Sequence, residues 1–333
     1  MKRKKCGIWL LALLMVLCLM PEVKASEIED STLDVIYIST ASDLKKISQN
    51  LDGTYVLKKD INLKSKKWTP IGTPDKPFTG FFDGAGHTIK NLSAKAEENY
   101  QGLFGYAKDA MIMNLSITGV VKGKMYVGAV AGQIVDTWVV ACHNKAKVYG
   151  VDQVGGLVGR TSNTSVILNC QNDAAITGTG RCTGGITSDL YPSGATVCNC
   201  VNLGKVSGGN DLNGGITGGS TGGLVANCVN WGNVSGKGRS GAIAGDNASY
   251  AGSRYYNYFR KTSKVNAGFN VVGSNCATFA KGSGKLSAAV QVGQKTYTSV
   301  LSALNAGRKL LKKEKDLVGN AWKLSGSKVV LFK

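Results

Sequence analysis

Residues Gly155–Cys170 read GGLVGRTSNTSVILNC. Two glycines open a short apolar core, a polar turn follows, and an alternating run ends on cysteine. The phrase returns as GGITSDLYPSGATVCNC from Gly184 and as GGITGGSTGGLVANC from Gly214. Aligned on the G-x-x-x-G phrase, units begin at Gln101, Gly128, Gly155, Gly184, Gly214 and Gly241, with a degenerate seventh near Gly268. The steps are 27, 27, 29, 30 and 27 residues. Self-similarity at this period is the mark of a stacked repeat.

Inside four units a second block keeps its spacing: Cys, Asn two later, an aliphatic four after that, and Gly two later again. Length varies only outside the block, which places insertions at corners and strands between them. Before each cysteine, apolar residues alternate with period two, as in Val166, Leu168, Cys170 and in Thr196, Cys198, Cys200. Helical periodicity is absent from residue 101 to about 275. These features predict an all-β, parallel, right-handed β-solenoid with coils of ~27–30 residues stacked at ~4.8 Å.

Stacking gives each column a meaning. Cys142, Cys170, Cys200 and Cys228 share a position held by Leu115 in the first unit and Tyr255 in the sixth, so the column reads as apolar packing. Buried thiols, disulfides between adjacent coils and a metal site are the alternatives there, in falling order. Asn144, Asn172, Asn202, Asn230 and Asn257 form a second column, read as an amide ladder rather than a ligand row. The aromatic run Tyr250–Lys261 reads as packing at the end of the cylinder, with glycan or nucleic-acid binding as its rival.

The chain has 333 residues, 44 of them glycine, and a formal net charge of +19. Residues 1–25 read as a signal peptide: MKRKK, an apolar stretch too short to span a bilayer comfortably, and Val23-Lys24-Ala25 ahead of cleavage. Its removal takes Lys2, Arg3, Lys4, Lys5, Lys24 and Glu22, and lowers the charge to +15. No later run is long enough for a membrane helix, and the C-terminus shows no sorting or lipid motif, so the expectation is a secreted or cell-surface protein. Such charge favours anionic cell-wall polymer or acidic host glycan, or serves solubility alone. Nucleic acid fits poorly, since no helix-turn-helix, zinc-finger or RNA-recognition pattern occurs.

Caps are expected at both ends. Thr40 with Asp43 begins a short helix whose Leu44, Ile47 and Leu51 share an apolar face. The segment SVLSALNAG reads as a helix, and AWKLSGSKVVLF as a hairpin about Ser325–Ser327. The expected divisions are residues 1–25, a front cap with first coils over 26–100, repeats over 101–280 and a back cap over 281–333.

The front of this array resembles bacterial surface proteins with GLUG repeats. Trp68, Pro70, Ile71, Gly72, Phe78, Gly80, Phe82, Asp83, Gly84, Gly86, His87, Thr88 and Ile89 fit that pattern in order. Such repeats also occur in the non-catalytic part of zinc proteases that cleave immunoglobulin A1. The tail resembles the family's closing phrase, with Val329 where proline is expected. The resemblance spans roughly residues 35–333 and implies an extracellular, often adhesin-like β module with no agreed ligand.

Motifs of catalysis are missing. A zincin needs H-E-x-x-H, and the two histidines, His87 and His143, do not form it. No G-x-S-x-G elbow or nucleotide-binding glycine pattern occurs, and Cys142 and His143, as strand neighbours, face opposite sides. No metal or cofactor is expected. One enzyme reading survives. After the G-x-x-x-G phrase, successive units carry Tyr106, Gln133, Arg160, Asp189, Gly219 and Asp246. Asp189 and Asp246 then lie two coils, ~10 Å, apart, at the far end of the spacing of inverting glycosidases. The sequence shows no groove of stacked aromatics beside them. A non-enzymatic binding module is the main reading, a polysaccharide-degrading enzyme the alternative, and a bare spacer the third.

Overall fold

The computed structural model describes residues 34–192, 194–246, 253–255, 257–260, 277–279, 285–292, 294–315, 322–325 and 328–331. The proposed signal peptide, the degenerate unit near Gly268 and residues 250–252, 256 and 261 of the aromatic run lie outside them.

The repeats wind into a parallel β-solenoid, as their spacing predicts. One coil shows the plan: strands Asp152–Gly155, Val158–Ser162, Val166–Leu168, Gln171–Asn172 and Ile176–Gly178 follow one another around the cylinder. Stacked coils align these strands into four walls. Wall 1 runs in nine strands from Val35–Ile38 to Ser253–Tyr255. Wall 2 has five, from Phe104–Lys108 to Thr217–Gly219. Wall 3 has 15 strands, because Ser116–Lys122 pairs with both His143–Asn144 and Lys147–Gly150 of the next coil. Wall 4 has five, from Met125–Val127 to Ser240–Gly241.

The G-x-x-x-G phrase has a steric cause at each end. A Cβ on Gly155, Gly184 or Gly214 would collide with the carbonyl oxygen of Val158, Thr187 or Thr217, three residues on. A Cβ on Gly132 or Gly159 would strike the backbone at Tyr100 or Tyr126 in the preceding coil. The first glycine therefore closes the turn from wall 4 to wall 2, and the second lets adjacent coils approach. Between them, Leu157, Ile186 and Ile216 point inward and are fully buried.

Corners without glycine use the left-handed region. Asn114, Ala141, Asn169, Asn199 and Asn227 take φ of 51–58° between walls 1 and 3. Asparagine tolerates that conformation better than most residues. Side chains of Asn227, Asn199 and Asn169 also donate one to the next, at 2.7 Å each. This amide ladder, one residue before the cysteines, was not among the sequence expectations.

The expected ladder occupies the bend in wall 3. Asn144 donates to Asn172 at 2.8 Å, Asn172 to Asn202 at 2.7 Å and Asn202 to Asn230 at 2.9 Å. Each also bonds the backbone two residues on, as Asn144 does to both N and O of Ala146. The ladder is structural and completely covered, with Asn144, Asn172 and Asn202 0% exposed.

Register corrects the sequence reading at the sixth unit. Tyr255 pairs with Ala226, not Cys228. Asn257 instead takes the cysteine column, accepting from the Cys228 N–H at 2.9 Å, and Phe259 takes the Asn230 column. Here the two-residue shift keeps the alternation, so side-chain facing survives while the columns change. The four stacked thiols are buried, and all six described cysteines are free.

Both caps form. Thr40 and Asp43 make a reciprocal capping box on helix α1, Ala41–Lys46, and Leu44 and Ile47 are fully buried. Helix α2, Val300–Lys315, is longer than expected and lies on the outer face of wall 3, where Val300, Ala303 and Leu304 pack with Val201, Val229, Trp231 and Tyr258. Strands Trp322–Ser325 and Lys328–Leu331 pair antiparallel as the expected hairpin. Trp68 of the front phrase is buried, its indole N–H donating to the Leu103 carbonyl at 3.0 Å.

Candidate functional site

The fold displays two chemically distinct outer surfaces. The first is wall 2. Its strands are in register, so Tyr106, Gln133, Arg160, Asp189 and Gly219 form one outward row. Pairing of Thr217 with Ala244 extends the row to Asp246. The order read from sequence is thus the order in space. A second outward row holds Lys108, Val135 and Ser162, with Tyr191 following Leu190, the partner of Thr161.

This face is recessed. Gln133, Val135, Ser162 and Asp246 point away from the core, yet all are buried. Along the wall 4 side, Tyr100, Tyr126, Gln153, Cys182 and Leu212 adopt left-handed φ of 52–59°. Repeated left-handed bulky residues are uncommon and costly, roughly 1–2 kcal/mol each. Here they line the wall 4 side of the row.

Aromatic rings stack at the front of this wall. Tyr100 and Tyr126 stack with centroids 4.8 Å apart, and Tyr106 meets Tyr100 edge-on at 5.7 Å. The Arg160 guanidinium sits 5.8 Å from the Tyr126 ring and 5.0 Å from the Tyr191 ring. Tyr100 and Tyr126 share one column of successive coils although their offsets from the G-x-x-x-G phrase differ by one, and Tyr106 comes from wall 2, so only the coil register brings the three together. A signal was present: residues 100, 106 and 126 flank the G-x-x-x-G phrases, at unlike offsets.

Asp189 and Asp246 bracket Gly219. The space where a Gly219 Cβ would stand is occupied by an Asp189 carboxylate oxygen, 2.7 Å from that point. Asp246 turns to the backbone, accepting from the Ser220 N–H at 2.8 Å and its hydroxyl at 3.0 Å. Burial raises Asp189 above the usual carboxylate range; Arg160 pulls it down and Asp246 pushes it further up. Burial and then the Asp189 charge push the adjacent Cys182 thiol up to about 12, so it stays protonated.

The second surface is the front half of wall 3. Lys95 stands opposite Lys122, and Lys122 opposite Tyr149. Lys147 pairs with Val120, Lys67 bridges to Ser93, and Lys145 and Lys90 are exposed nearby. Lys90 is bound by Asp60 at 2.8 Å and Lys122 by Glu97 at 2.5 Å. Lys67, Lys95, Lys145 and Lys147 have no carboxylate at ion-pair distance among the described residues. The patch ends at His143, whose Nε2 lies 2.8 Å from Asp173. Burial opposes ionisation of Asp173, but the His143 hydrogen bond and charge prevail and hold its carboxyl low. Beyond it the same wall turns apolar under α2.

His143 and Cys142 face opposite sides, as period two requires, and His143 itself is buried. His87 lies half exposed, its Nδ1 3.6 Å from Asp60. Among the described residues no cluster of three or more His, Cys, Asp or Glu is arranged to hold a metal. No helix among them is long and apolar enough to cross a membrane.

No protein-family model matches the chain. Halomucin of Haloquadratum walsbyi is 31% identical over 157 residues, covering 44% of this chain and 2% of that protein. The chain thus spans a small fraction of the curated relative it matches. A solved chain from Bacteroides ovatus, described as a candidate immunoglobulin A1 protease, superposes with a TM-score of 0.61 at 19% identity, over 89% of this chain and 91% of that one. A second solved chain, named IgA1 protease, has a TM-score of 0.49 at 15% identity, over 92% of this chain and 26% of that one. The likeness to the Bacteroides chain is one of fold alone.

Proposed function

We propose that this chain is a non-catalytic, GLUG-type module, exported to the cell surface or released, that holds an anionic polysaccharide against the lysine face of wall 3. Cell-wall polymer and acidic host glycan share the chemistry it would recognise. The carrying observation is the cluster of Lys67, Lys95, Lys145 and Lys147 on one wall with no carboxylate at ion-pair distance among the described residues. Exposed, unpaired ammonium groups on a rigid sheet attract polyanions with little reorganisation. A glycan and cell-wall polymer array, read at low and high salt, tests this. Retention of anionic polymers that fades with salt supports the reading; no preference over neutral polymers sinks it.

The cleavage reading keeps one supporting observation: Asp189 and Asp246 flank the bare Gly219 backbone, and burial favours a proton on Asp189. Against it, both carboxylate contacts of Asp246 at Ser220 serve the turn. Asp189→Asn and Asp246→Asn variants on a polysaccharide panel separate the readings, since only an enzyme loses turnover.

A further inference from the structure

We propose that the recessed face of wall 2 is a second saccharide site, for a glycan that sets an isolated carboxylate beside a neutral, hydroxyl-bearing sugar. This site does not depend on the lysine face, which belongs to another wall.

Three features of the row carry the inference. The first is apolar platform. Tyr100 and Tyr126 stack beside the row, and Tyr191, 47% exposed, stands across it. Aromatic rings offer flat apolar faces with polar edges, which suits a sugar ring with one C–H face and a rim of hydroxyls.

The second is an anion receptor. Arg160 is held between the Tyr126 and Tyr191 rings. Its buried Nε has no hydrogen-bond partner, and no carboxylate of the described residues reaches ion-pair distance of its guanidinium. By contrast Arg239, on wall 4, is satisfied by Asp211 through two bonds of 2.7 and 2.5 Å. A planar guanidinium fixed by stacking and left unpaired matches a carboxylate in bidentate fashion.

The third sets the pattern. The coil after Arg160 presents Asp189, ~4.8 Å along the row, and Asp246 lies two coils further. A polymer with a carboxylate on every sugar would bring its next charge against Asp189 and be repelled. A neutral sugar there offers hydroxyls, which an ionised carboxylate accepts. Gln133, on the coil before Arg160, adds an amide beside the row. The site therefore selects alternating rather than uniform charge.

Calorimetric titration of the full chain with three hexasaccharides tests this: a hyaluronan fragment (alternating uronate and N-acetylated sugar), oligogalacturonate (uronate throughout) and cellohexaose (neutral). The hyaluronan fragment is expected to bind about tenfold tighter than either other ligand. Tyr191→Ala, at an exposed ring, is expected to weaken it about threefold or more with an unchanged melting curve, and Arg160→Gln about tenfold. Asp189→Asn should bring oligogalacturonate to within about threefold of the hyaluronan fragment. Charge reversal at Lys145 and Lys147 should leave the affinity for the hyaluronan fragment in place while weakening salt-sensitive polymer retention about tenfold, which separates the two sites. Equal binding of cellohexaose, tightest binding of oligogalacturonate, indifference to Tyr191→Ala, or no binding of any hexasaccharide would overturn the proposal.

Discussion

Asn172 shows how one side chain holds three coils. Its amide receives from Asn144, donates to Asn202 and bonds both N and O of Ala174. Asn172→Ala removes all four and strands buried partners, at an expected cost of about 3 kcal/mol or more, measured by urea unfolding. Asp189 works the other way. Its pKa is raised in the fold, so its ionised form disfavours the native state, and its contribution is best below the unfolded value of 3.8 and is lost as pH rises through the folded value. Asp189→Asn should therefore raise the Tm at pH 7, and the gain should shrink as the pH falls toward 3.8. A gain that grows in acid would contradict the assigned environment.

Among elements, the turn from wall 4 to wall 2 and helix α2 carry opposite lessons. Gly184 cannot accept a Cβ without striking the Thr187 carbonyl, so Gly184→Ala should lower stability by about 3 kcal/mol through overpacking. The recurrence of glycine at this place was plain in the sequence because every coil has the same steric need. α2 meets the solenoid through a private patch. Leu304 is fully buried against wall 3, and Leu304→Ala is expected to cost about 2–4 kcal/mol, with α2 opening ahead of the coils in hydrogen exchange. Its helical character was legible, but not its docking place, because nothing in a lone amphipathic stretch says which of four walls turns Val201 and Val229 outward beneath it.

At the scale of the molecule, the columns decide what can be read beforehand. Cysteine, asparagine and glycine recur at fixed offsets, so the coil, its stacking and the order from Tyr106 to Asp246 follow from spacing alone. The tyrosine border does not, because Tyr100, Tyr126 and Tyr191 come from different offsets and meet only through left-handed corners and Arg160. Tyr255 misled for the same reason: beyond Cys228 the strands slip by two residues, a change invisible to a pattern that repeats every two. The net charge of the chain likewise announced an excess of cations without saying where they gather. The lysine face gives that excess a place. Lys145→Glu with Lys147→Glu should weaken polyanion retention about tenfold at low ionic strength and change little at 1 M salt, where the screening length is ~3 Å.

The cysteine column also makes the chain its own reporter. Burial drives Cys142, Cys200 and Cys198 far toward the protonated form, and all six described sulfhydryls are buried. An alkylating reagent should leave these six unmodified in the intact cylinder and label them only when neighbouring turns part. Because these sulfurs occupy successive levels along the axis, the sequence in which they acquire label would record from which end the cylinder unzips.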